Sequence, residues 1–289
     1  MIRFSFTEET MGYKSILTVT TGATPDAAVL AAAAAVAEHQ KAHLDVLCLG
    51  LDRVQVGYYF DTASPAMLEK GLAEARAEAQ AAKAAAERHL ADSAAPFAVR
   101  GAVVQIGAIP EAVGGVARFA DLVVQGKPYG AAGSGDDSAA VLEAALFEGR
   151  APVLVVPGAL AALPGRRIVV AWNRSAEAMA AVRAALPLLC AADMVDLAIV
   201  DPPAHDADES DPGAELSTML SRHGASVEVS LLPRTMPRVA DTLLRHARDR
   251  EADLLVMGAY GHSRLRETLF GGATRDMLAE ATLPVLMAR

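Results

Sequence analysis

The chain has 289 residues, of which 53% are hydrophobic and 21% are charged, and this length suggests about two compact domains. Its formal net charge of -9 argues against a surface that binds nucleic acid or an anionic membrane. We therefore expect neither nucleic acid nor a membrane among its partners.

The two cysteines and the first residues indicate the compartment. Cys48 and Cys190 lie far apart inside apolar runs, which favours free thiols in a reducing environment over a disulfide framework or a metal pair. The longest apolar tract, residues 27–37, is too short and too rich in alanine to span a bilayer. Residues 1–14 lack the hydrophobic core of a signal peptide. The expected location is the cytoplasm.

Strands and helices alternate in the first half of the chain. Short apolar runs predict buried strands, and alanine-rich or amphipathic segments that begin near a proline predict helices. In chain order the prediction is a strand at 16–19, a helix ending near 40, a strand at 44–49, a long polar helix at 65–91, a strand at 99–105, a helix at 110–119, and strands at 122–125 and 153–156.

The second half follows a link at 156–166 that contains prolines and glycines. It has predicted strands at 168–172, 195–200, 227–232, 254–257 and 283–287. Its predicted helices are one at 176–189, one that ends near 223, one at 237–250 and one that begins at 271. The acidic segment at 201–212 contains His205, and we interpret it as a surface loop and not as a metal site. This alternation predicts an α/β fold of two tandem, doubly wound parallel-sheet domains, 1–157 and 158–289.

An internal repeat supports two domains of one type. ADLVVQG at 120–126 matches ADLLVMG at 252–258, and APVLV at 151–155 matches LPVLM at 283–287. Residues 14–19 resemble residues 166–171 near the start of each half. Repeats of this length indicate duplicated domains, because solenoid repeats are much shorter. The extra residues of the first half lie between its first and fourth strands, where the helix at 65–91 is long.

Glycines follow the buried strand at 254–257 in a spacing that suggests a phosphate site. Gly258 and Gly261 come first, and Gly271–Gly272 then begin a helical pattern that contains Thr274. Glycine lets the backbone approach a ligand closely, and the free N–H groups of a helix start attract anions. Spacing alone favours the simpler interpretation, in which these glycines only end a strand and open a helix.

The same stretch resembles the nucleotide-binding signature of the universal stress protein family. That signature is Gly, two residues, Gly, nine residues, Gly, and then Ser or Thr, matched here by Gly258, Gly261 and Gly271. Gly272 departs from the last position, and Thr274 could supply the missing hydroxyl. The resemblance implies tandem adenine nucleotide alpha hydrolase-like, Rossmann-like domains.

The resemblance also implies which residues meet the nucleotide. Ala171, Trp172 and Val200 would line an adenine slot, with the ribose and phosphates toward the glycines; core packing remains the alternative for Trp172. Asn173 stands where relatives commonly place an Asp, so support for a protein-bound Mg²⁺ is small, and for Asn173 and Ser175 a turn and helix cap is the alternative. The implied site contains Ala171, Trp172, Asn173, Ser175, Val200, Met257, Gly258, Gly261, His262, Arg264, Gly271, Gly272, Ala273 and Thr274.

The first half does not share this pattern of glycines. Gly126 corresponds to Gly258, but Tyr129, Ala139 and Leu142 stand opposite Gly261, Gly271 and Thr274. The carboxylates at 136–137 favour a helix start yet would repel a phosphate there. We therefore expect the N-terminal domain to be a structural or regulatory partner with a degenerate nucleotide site.

The sequence contains no P-loop, nucleophile elbow or zinc-ligand spacing. Phosphate binding without a positioned base predicts slow turnover or none, so the first hypothesis is a stress-response regulator or sensor that binds ATP, ADP or AMP. The alternative is a tandem scaffold that binds proteins and no nucleotide; an ATP-hydrolysing enzyme ranks third. The resemblance implies an internal pseudo-dimer in which strands 153–156 and 285–287 meet. The protein partner and a homodimer of the whole chain are left open.

Overall fold

A computed structural model describes residues 12–24, 26–54, 64–129, 136–160, 162–202, 212–261 and 272–289. The elements of the first half are β1 (Ser15–Thr21), α1 (Ala27–Gln40), β2 (His43–Asp52), α2 (Pro65–Leu90), β3 (Phe97–Gln105), the 3-10 helix Ile106–Ala108, α3 (Ile109–Ala117), β4 (Leu122–Gly126), α4 (Asp136–Phe147) and β5 (Val153–Val156). The elements of the second half are β6 (Arg167–Ala171), α5 (Ala176–Ala191), β7 (Met194–Val200), α6 (Ala214–Arg222), β8 (Val227–Leu232), α7 (Val239–Asp249), β9 (Leu254–Gly258), α8 (Ala273–Glu280) and β10 (Val285–Ala288).

All these strands form one 10-stranded sheet in the order β3-β2-β1-β4-β5-β10-β9-β6-β7-β8. Every neighbouring pair is parallel except β5 and β10, which run antiparallel with Leu154 opposite Leu286. The predicted α/β class with parallel strands is confirmed. From the edge to the middle, each half repeats one strand order, as the internal repeat predicts.

The two halves differ most in one helix. The helix α2 has 26 residues, whereas its counterpart α6 has 9. The extra length of the first half therefore lies largely in α2, where the sequence predicted it. The acidic segment predicted as a surface loop falls largely outside the described residues.

The helices pack on both faces of the sheet, and each face has its own core. One face, called here the α1 face, is covered by α1, α2, α5 and α6. The other, called here the α4 face, is covered by α3, α4, α7 and α8. Alternation along β1 shows the division, because Ile16 packs on the α1 face while Leu17 and Val19 pack on the α4 face. Such strands are apolar throughout because both of their faces are buried.

Side chains connect the two halves beyond the β5–β10 pairing. The hydroxyl of Tyr13 donates to the carbonyl oxygen of Ala184 on α5 at 2.7 Å. On the α4 face the rings of Phe147 and Tyr260 lie 5.1 Å apart between centroids, and the guanidinium of Arg289 lies 4.2 Å from the Phe147 centroid. In the described part of the chain, no helix combines the length and apolar character that crossing a membrane requires.

Candidate functional site

Of the predicted site residues that the structure describes, Ala171, Val200 and Gly258 lie at the carboxyl ends of β6, β7 and β9. Strand β6 lies between β9 and β7, so the connections after β6 and β9 leave the sheet at the point where the strand order reverses. Ligands of open α/β sheets bind at such a point. Ala171 at the end of β6 pairs with Met257 on β9 and with Ala198 on β7.

Asn173 and Ser175 build the start of α5. The Asn173 Oδ1 accepts a hydrogen bond from the Ser175 backbone N–H at 3.1 Å, and the Ser175 Oγ accepts one from the Ala178 N–H at 3.1 Å. Between them Arg174 has a φ of 60°. These contacts are those of a turn and a helix N-cap. They occupy one polar atom of each side chain.

Trp172 is buried on the α1 face, with 9% of its surface exposed. Its indole Nε1–H donates to the carbonyl oxygen of Pro212 at 3.3 Å. Ala171 and Val200 pack instead on the α4 face. The structure therefore places Trp172 on the face opposite to the two other residues of the implied adenine slot, and its side chain packs in the core.

Gly258 is required by packing. A Cβ at this position would lie 2.5 Å from the backbone nitrogen of Ala178 and 2.6 Å from the carbonyl carbon of Glu177. Both distances are shorter than any side chain tolerates, so the end of β9 approaches the first turn of α5 as closely as glycine allows. This close approach holds the end of β9 against the start of α5.

Glu177 is a site residue that the sequence reasoning missed. It lies in the first turn of α5, and its Oε2 would be 3.3 Å from a Cβ built at Gly261. A negative charge therefore stands beside the glycine loop. The signal in the sequence was its position two residues after the Ser175 cap, because a residue in the first turn of α5 faces the carboxyl edge of the sheet.

Thr274 joins α8 to the loop after β9. It is 3% exposed, and its Oγ1 accepts a hydrogen bond from the backbone N–H of Tyr260 at 3.0 Å. Tyr260 has a φ of 54°. The Thr274 hydroxyl therefore holds the loop against the helix start, a contact that sequence reasoning did not foresee.

The N-terminus of α8 begins with a residue that has no side chain to cap it. Gly272 is the N-cap residue, with φ -97° and ψ 161°, and among the described residues it makes no side-chain cap hydrogen bond. The backbone N–H groups of the first helical residues, from Ala273 onward, have no carbonyl oxygen in an earlier helical turn to accept their hydrogen bonds. His262, Arg264 and Gly271 lie outside the described residues.

Charged groups near α8 are already paired with other parts of the protein. Asp276 in its first turn lies 3.8 Å from Arg238. The guanidinium of Arg275 lies 5.0 Å from the centroid of Tyr129 in the first half. Among the residues that the structure describes, no three His, Cys, Asp or Glu side chains gather as metal ligands would.

Comparison with known proteins bears on the family and the fold of the chain. A family model described as "Universal stress protein family" matches residues 165–289. Universal stress protein Slr1230 of Synechocystis sp. is 37% identical over 71 residues, which are 25% of this chain and 24% of that relative, so the match spans about a quarter of its length.

Two solved structures share the fold along nearly the whole chain. A universal stress protein from Archaeoglobus fulgidus DSM 4304 has a TM-score of 0.67 at 12% identity, over 94% of this chain and 96% of that chain. A putative universal stress protein from Pseudomonas aeruginosa UCBPP-PA14 has a TM-score of 0.58 at 18% identity, over 96% of this chain and 94% of that chain. Residues 165–289 therefore match the universal stress protein family model, and the whole chain shares its fold with these two solved structures.

Proposed function

We propose that the second half binds an adenine nucleotide, ATP, ADP or AMP, at the carboxyl edge of β6 and β9. Occupancy then changes a surface that a partner protein contacts in a stress response. The observation that carries this proposal is the start of α8, where glycine is the N-cap residue and where Thr274 holds the helix against the loop after β9. It stands at the reversal of strand order, where such folds bind ligands.

The electrostatics of α8 suit a phosphate. The first N–H groups of a helix have no intrahelical acceptors, and the helix dipole places about half a positive charge there. Gly272 brings no Cβ and no side-chain acceptor, so a phosphate oxygen can take the place of a side-chain cap. The sequence match of Gly258, Gly261 and Gly271 to the family signature falls on the same loop.

In this proposal the adenine ring of the nucleotide lies toward Ala171, Val200 and Met257. These residues are at the ends of three adjacent strands, and the first two are only partly buried on the α4 face. Trp172 supports the slot from the opposite face. Asn173 supplies a neutral amide, so any Mg²⁺ would be held mainly by the phosphates of the nucleotide.

We propose binding with slow hydrolysis at most. Rapid phosphoryl transfer needs a residue that orients the attacking water and groups that neutralise charge on the transferred phosphate. Among the described residues at this edge, Asn173 and Ser175 are engaged in the turn and cap of α5. The protein therefore suits a sensor or regulator whose bound nucleotide persists.

The test compares two substitutions of one residue. Gly272→Asp places a carboxylate at the helix cap, where it stabilises the helix and competes with a phosphate. Gly272→Ser supplies a neutral cap and the residue type of the family signature. We expect ATP, measured by isothermal titration on the full chain, to bind the wild type and Gly272→Ser and to bind Gly272→Asp at least tenfold more weakly.

Native mass spectrometry of freshly purified protein adds a second readout. A copurifying adenine nucleotide in the wild type, lost in Gly272→Asp while circular dichroism is unchanged, supports the proposal. Equal ATP affinity in the two variants would show that the start of α8 does not hold the phosphates.

A second candidate is a scaffold that binds proteins and no nucleotide, and Glu177 favours it. Its carboxylate beside Gly261 opposes a phosphate by charge repulsion. Glu177→Gln separates the two functions. A nucleotide-binding protein gains affinity for ATP when this charge is removed, whereas a scaffold stays empty at millimolar ATP in both forms.

The two halves act, we propose, as two domains, 1–157 and 158–289, that form an internal pseudo-dimer. The antiparallel pairing of β5 with β10 supports this, because it joins two sheets of the same strand order. The composition and the separated cysteines support a cytoplasmic location.

A further inference from the structure

A cavity of about 250 Å³ lies on the α4 face of the first half, near the amino ends of β1, β2 and β3. Asp45 on β2 and Arg100 on β3 line it from the sheet. Val116 on α3 and Phe119, just after that helix, line it from the other side. The nucleotide is proposed at the carboxyl edge of the second half, so this cavity is separate from it and does not depend on it.

A glycine leaves open space beside this cavity. Gly115 on α3 belongs to the lining, and a Cβ built there would meet nothing within 4 Å. The volume of about 250 Å³ is many times the roughly 10–15 Å³ that one water needs. The cavity therefore has room for a small organic molecule.

Asp45 and Arg100 bring opposite charges to this cavity. The Arg100 Nη2 lies 4.0 Å from the Asp45 Oδ1, which is too far for a hydrogen bond. The Asp45 side chain is 30% exposed and the Arg100 side chain is 55% exposed, so a ligand can reach both. Because such an exposed pair stabilises a protein little, a ligand can separate the two charges at small cost.

The corresponding carboxylate of the second half is already engaged. Asp45 pairs in register with Leu17 on β1, and Asp196 pairs with Val169 on β6, the residue that the internal repeat aligns with Leu17. The Asp196 Oδ2 has three polar side-chain partners within 3.1 Å. Asp45 has no side-chain hydrogen bond among the described residues, so its carboxylate is available to a ligand.

We propose that this cavity binds a free α-amino acid with an apolar side chain. The ammonium group of the ligand donates to Asp45, its carboxylate accepts hydrogen bonds from Arg100, and its side chain packs on Val116 and Phe119. Both charges of an α-amino acid are attached to one carbon, so they can enter between two protein charges that are this close. The termini of a peptide belong to different residues and are too far apart to do so.

The balance of charge in the lining selects a zwitterion. Among the described residues of the lining, Asp45 and Arg100 are the ones that carry a charge. A simple anion would be attracted by Arg100 and repelled by Asp45, and a simple cation would meet the reverse. A zwitterion makes a charge-assisted hydrogen bond to each of them. Phe119 is 78% exposed, and contact with the ligand side chain removes its ring from water.

The test titrates the full chain with L-leucine and follows the methyl signals of Val116 by NMR. The signals of Val182, which is buried on α5 on the opposite face, serve as the internal reference. Two analogues remove one charge each: leucinamide lacks the carboxylate, and 4-methylpentanoate lacks the ammonium group. We expect saturable shifts of Val116 with leucine and at least about tenfold weaker binding of each analogue, the effect of one lost charge-assisted hydrogen bond.

Variants of the protein remove the same contacts from the other side. Asp45→Asn and Arg100→Gln should each bind leucine about tenfold more weakly. Their melting temperatures should stay close to that of the wild type, since both side chains are partly exposed. Asp193→Asn is the matched control, because it also removes a carboxylate that pairs with an arginine, but in the second half. Its affinity for leucine should equal that of the wild type.

Three results would overturn the proposal. The first is a titration in which the Val116 signals do not saturate with leucine. The second is equal affinity for leucine in the wild type, Asp45→Asn and Arg100→Gln. The third is binding of leucinamide or 4-methylpentanoate as tight as that of leucine, which would mean that the cavity recognises a single charge or an apolar group alone. None of these results bears on ATP binding in the second half.

Discussion

The ammonium nitrogen of Lys127 lies 2.7 Å from the carbonyl oxygen of Ala279, 152 residues further along the chain. It also donates to the carbonyl oxygen of Ala281 at 2.9 Å. Burial lowers the pKa of Lys127, and the nearby Glu280 carboxylate partly opposes this. A cation from the first half thus caps the carboxyl end of α8, the helix whose other end is the proposed phosphate site.

We expect Lys127→Met to loosen α8. The substitution removes two charge-assisted hydrogen bonds at the negative end of the helix dipole, a loss of about 1–3 kcal/mol. Hydrogen exchange at the amides of residues 273–280 should become at least about tenfold faster. Lys70→Met is the control, because Lys70 pairs with Glu74 on the exposed side of α2; it should leave α8 unchanged. Equal exchange in both variants would show that the contact is weak.

Tyr13 makes the stability of the protein depend on alkaline pH. Burial, with a smaller contribution from Asp121, raises the pKa of the Tyr13 phenol above its usual value of 10.0. In the unfolded chain the phenol loses its proton near pH 10, while in the folded chain it keeps the proton and donates to Ala184. The unfolded state then binds fewer protons, so the free energy of unfolding falls as pH rises above 10.

The variant Tyr13→Phe tests this linkage. At pH 7 it should lose about 0.5–1.5 kcal/mol, the net value of one hydrogen bond. Urea unfolding between pH 9.5 and 11 should show a shallower decline than in the wild type. If the free energies of unfolding of the two proteins fall in parallel as pH rises, the ionisation of Tyr13 is not the cause of the alkaline loss of stability.

Gly258→Ala should destabilise the fold by about 1–3 kcal/mol, because its Cβ would overlap the backbone of α5. Gly115→Ala is the matched control inside α3, where a Cβ meets nothing within 4 Å. It should be neutral or stabilise by up to about 1 kcal/mol, since alanine favours a helix more than glycine does. Urea midpoints measure both. An unchanged urea midpoint for Gly258→Ala would mean that the glycine serves ligand binding and not packing.

The buried carboxylate of Asp196 on β7 has three polar partners in the second half. Its Oδ2 lies 2.6 Å from Arg250 Nε, 3.0 Å from His246 Nε2 and 3.1 Å from Ser230 Oγ. Asp196→Asn removes the charge and leaves Arg250 without its closest partner. Because Arg250 is partly exposed and keeps its ion pair with Glu228 at 3.2 Å, we expect a loss of about 1–3 kcal/mol in the free energy of unfolding.

The control is Asp193→Asn, which breaks a bidentate ion pair with Arg166 whose side chains are 60% and 80% exposed. Solvent screens such a pair, so the expected loss is within about 1 kcal/mol. Similar losses in Asp193→Asn and Asp196→Asn would contradict the view that burial decides the strength of these contacts.

A fragment of residues 158–289 should dimerise. Removal of the first half exposes β10, whose backbone now pairs with β5. An unpaired edge strand binds a second strand readily, and a second copy offers the same strand in an antiparallel direction. Light scattering should give the mass of a dimer, and Leu286→Pro should return it to a monomer. A monomeric fragment without the proline would contradict the pseudo-dimer proposal.

Local sequence patterns predicted much of the fold. The runs at 122–125, 153–156 and 254–257 were predicted as buried strands, and each lies within a described strand that is apolar on both faces. Strand limits were less accurate, since β1 and β2 extend to Ser15–Thr21 and His43–Asp52. Pairing with a neighbour lengthens a strand beyond its apolar run, and the run itself does not report this.

The sequence by itself determined the alternation of elements, the duplication of their order and the glycine spacing after β9. Each of these features depends on residues that are close together in the chain. Only the tertiary structure decided that Trp172 faces away from Ala171 and Val200, and that Glu177 lies beside Gly261. Those relationships join atoms from separate strands and helices. Their distances depend on how the whole sheet twists and packs, which no local pattern encodes.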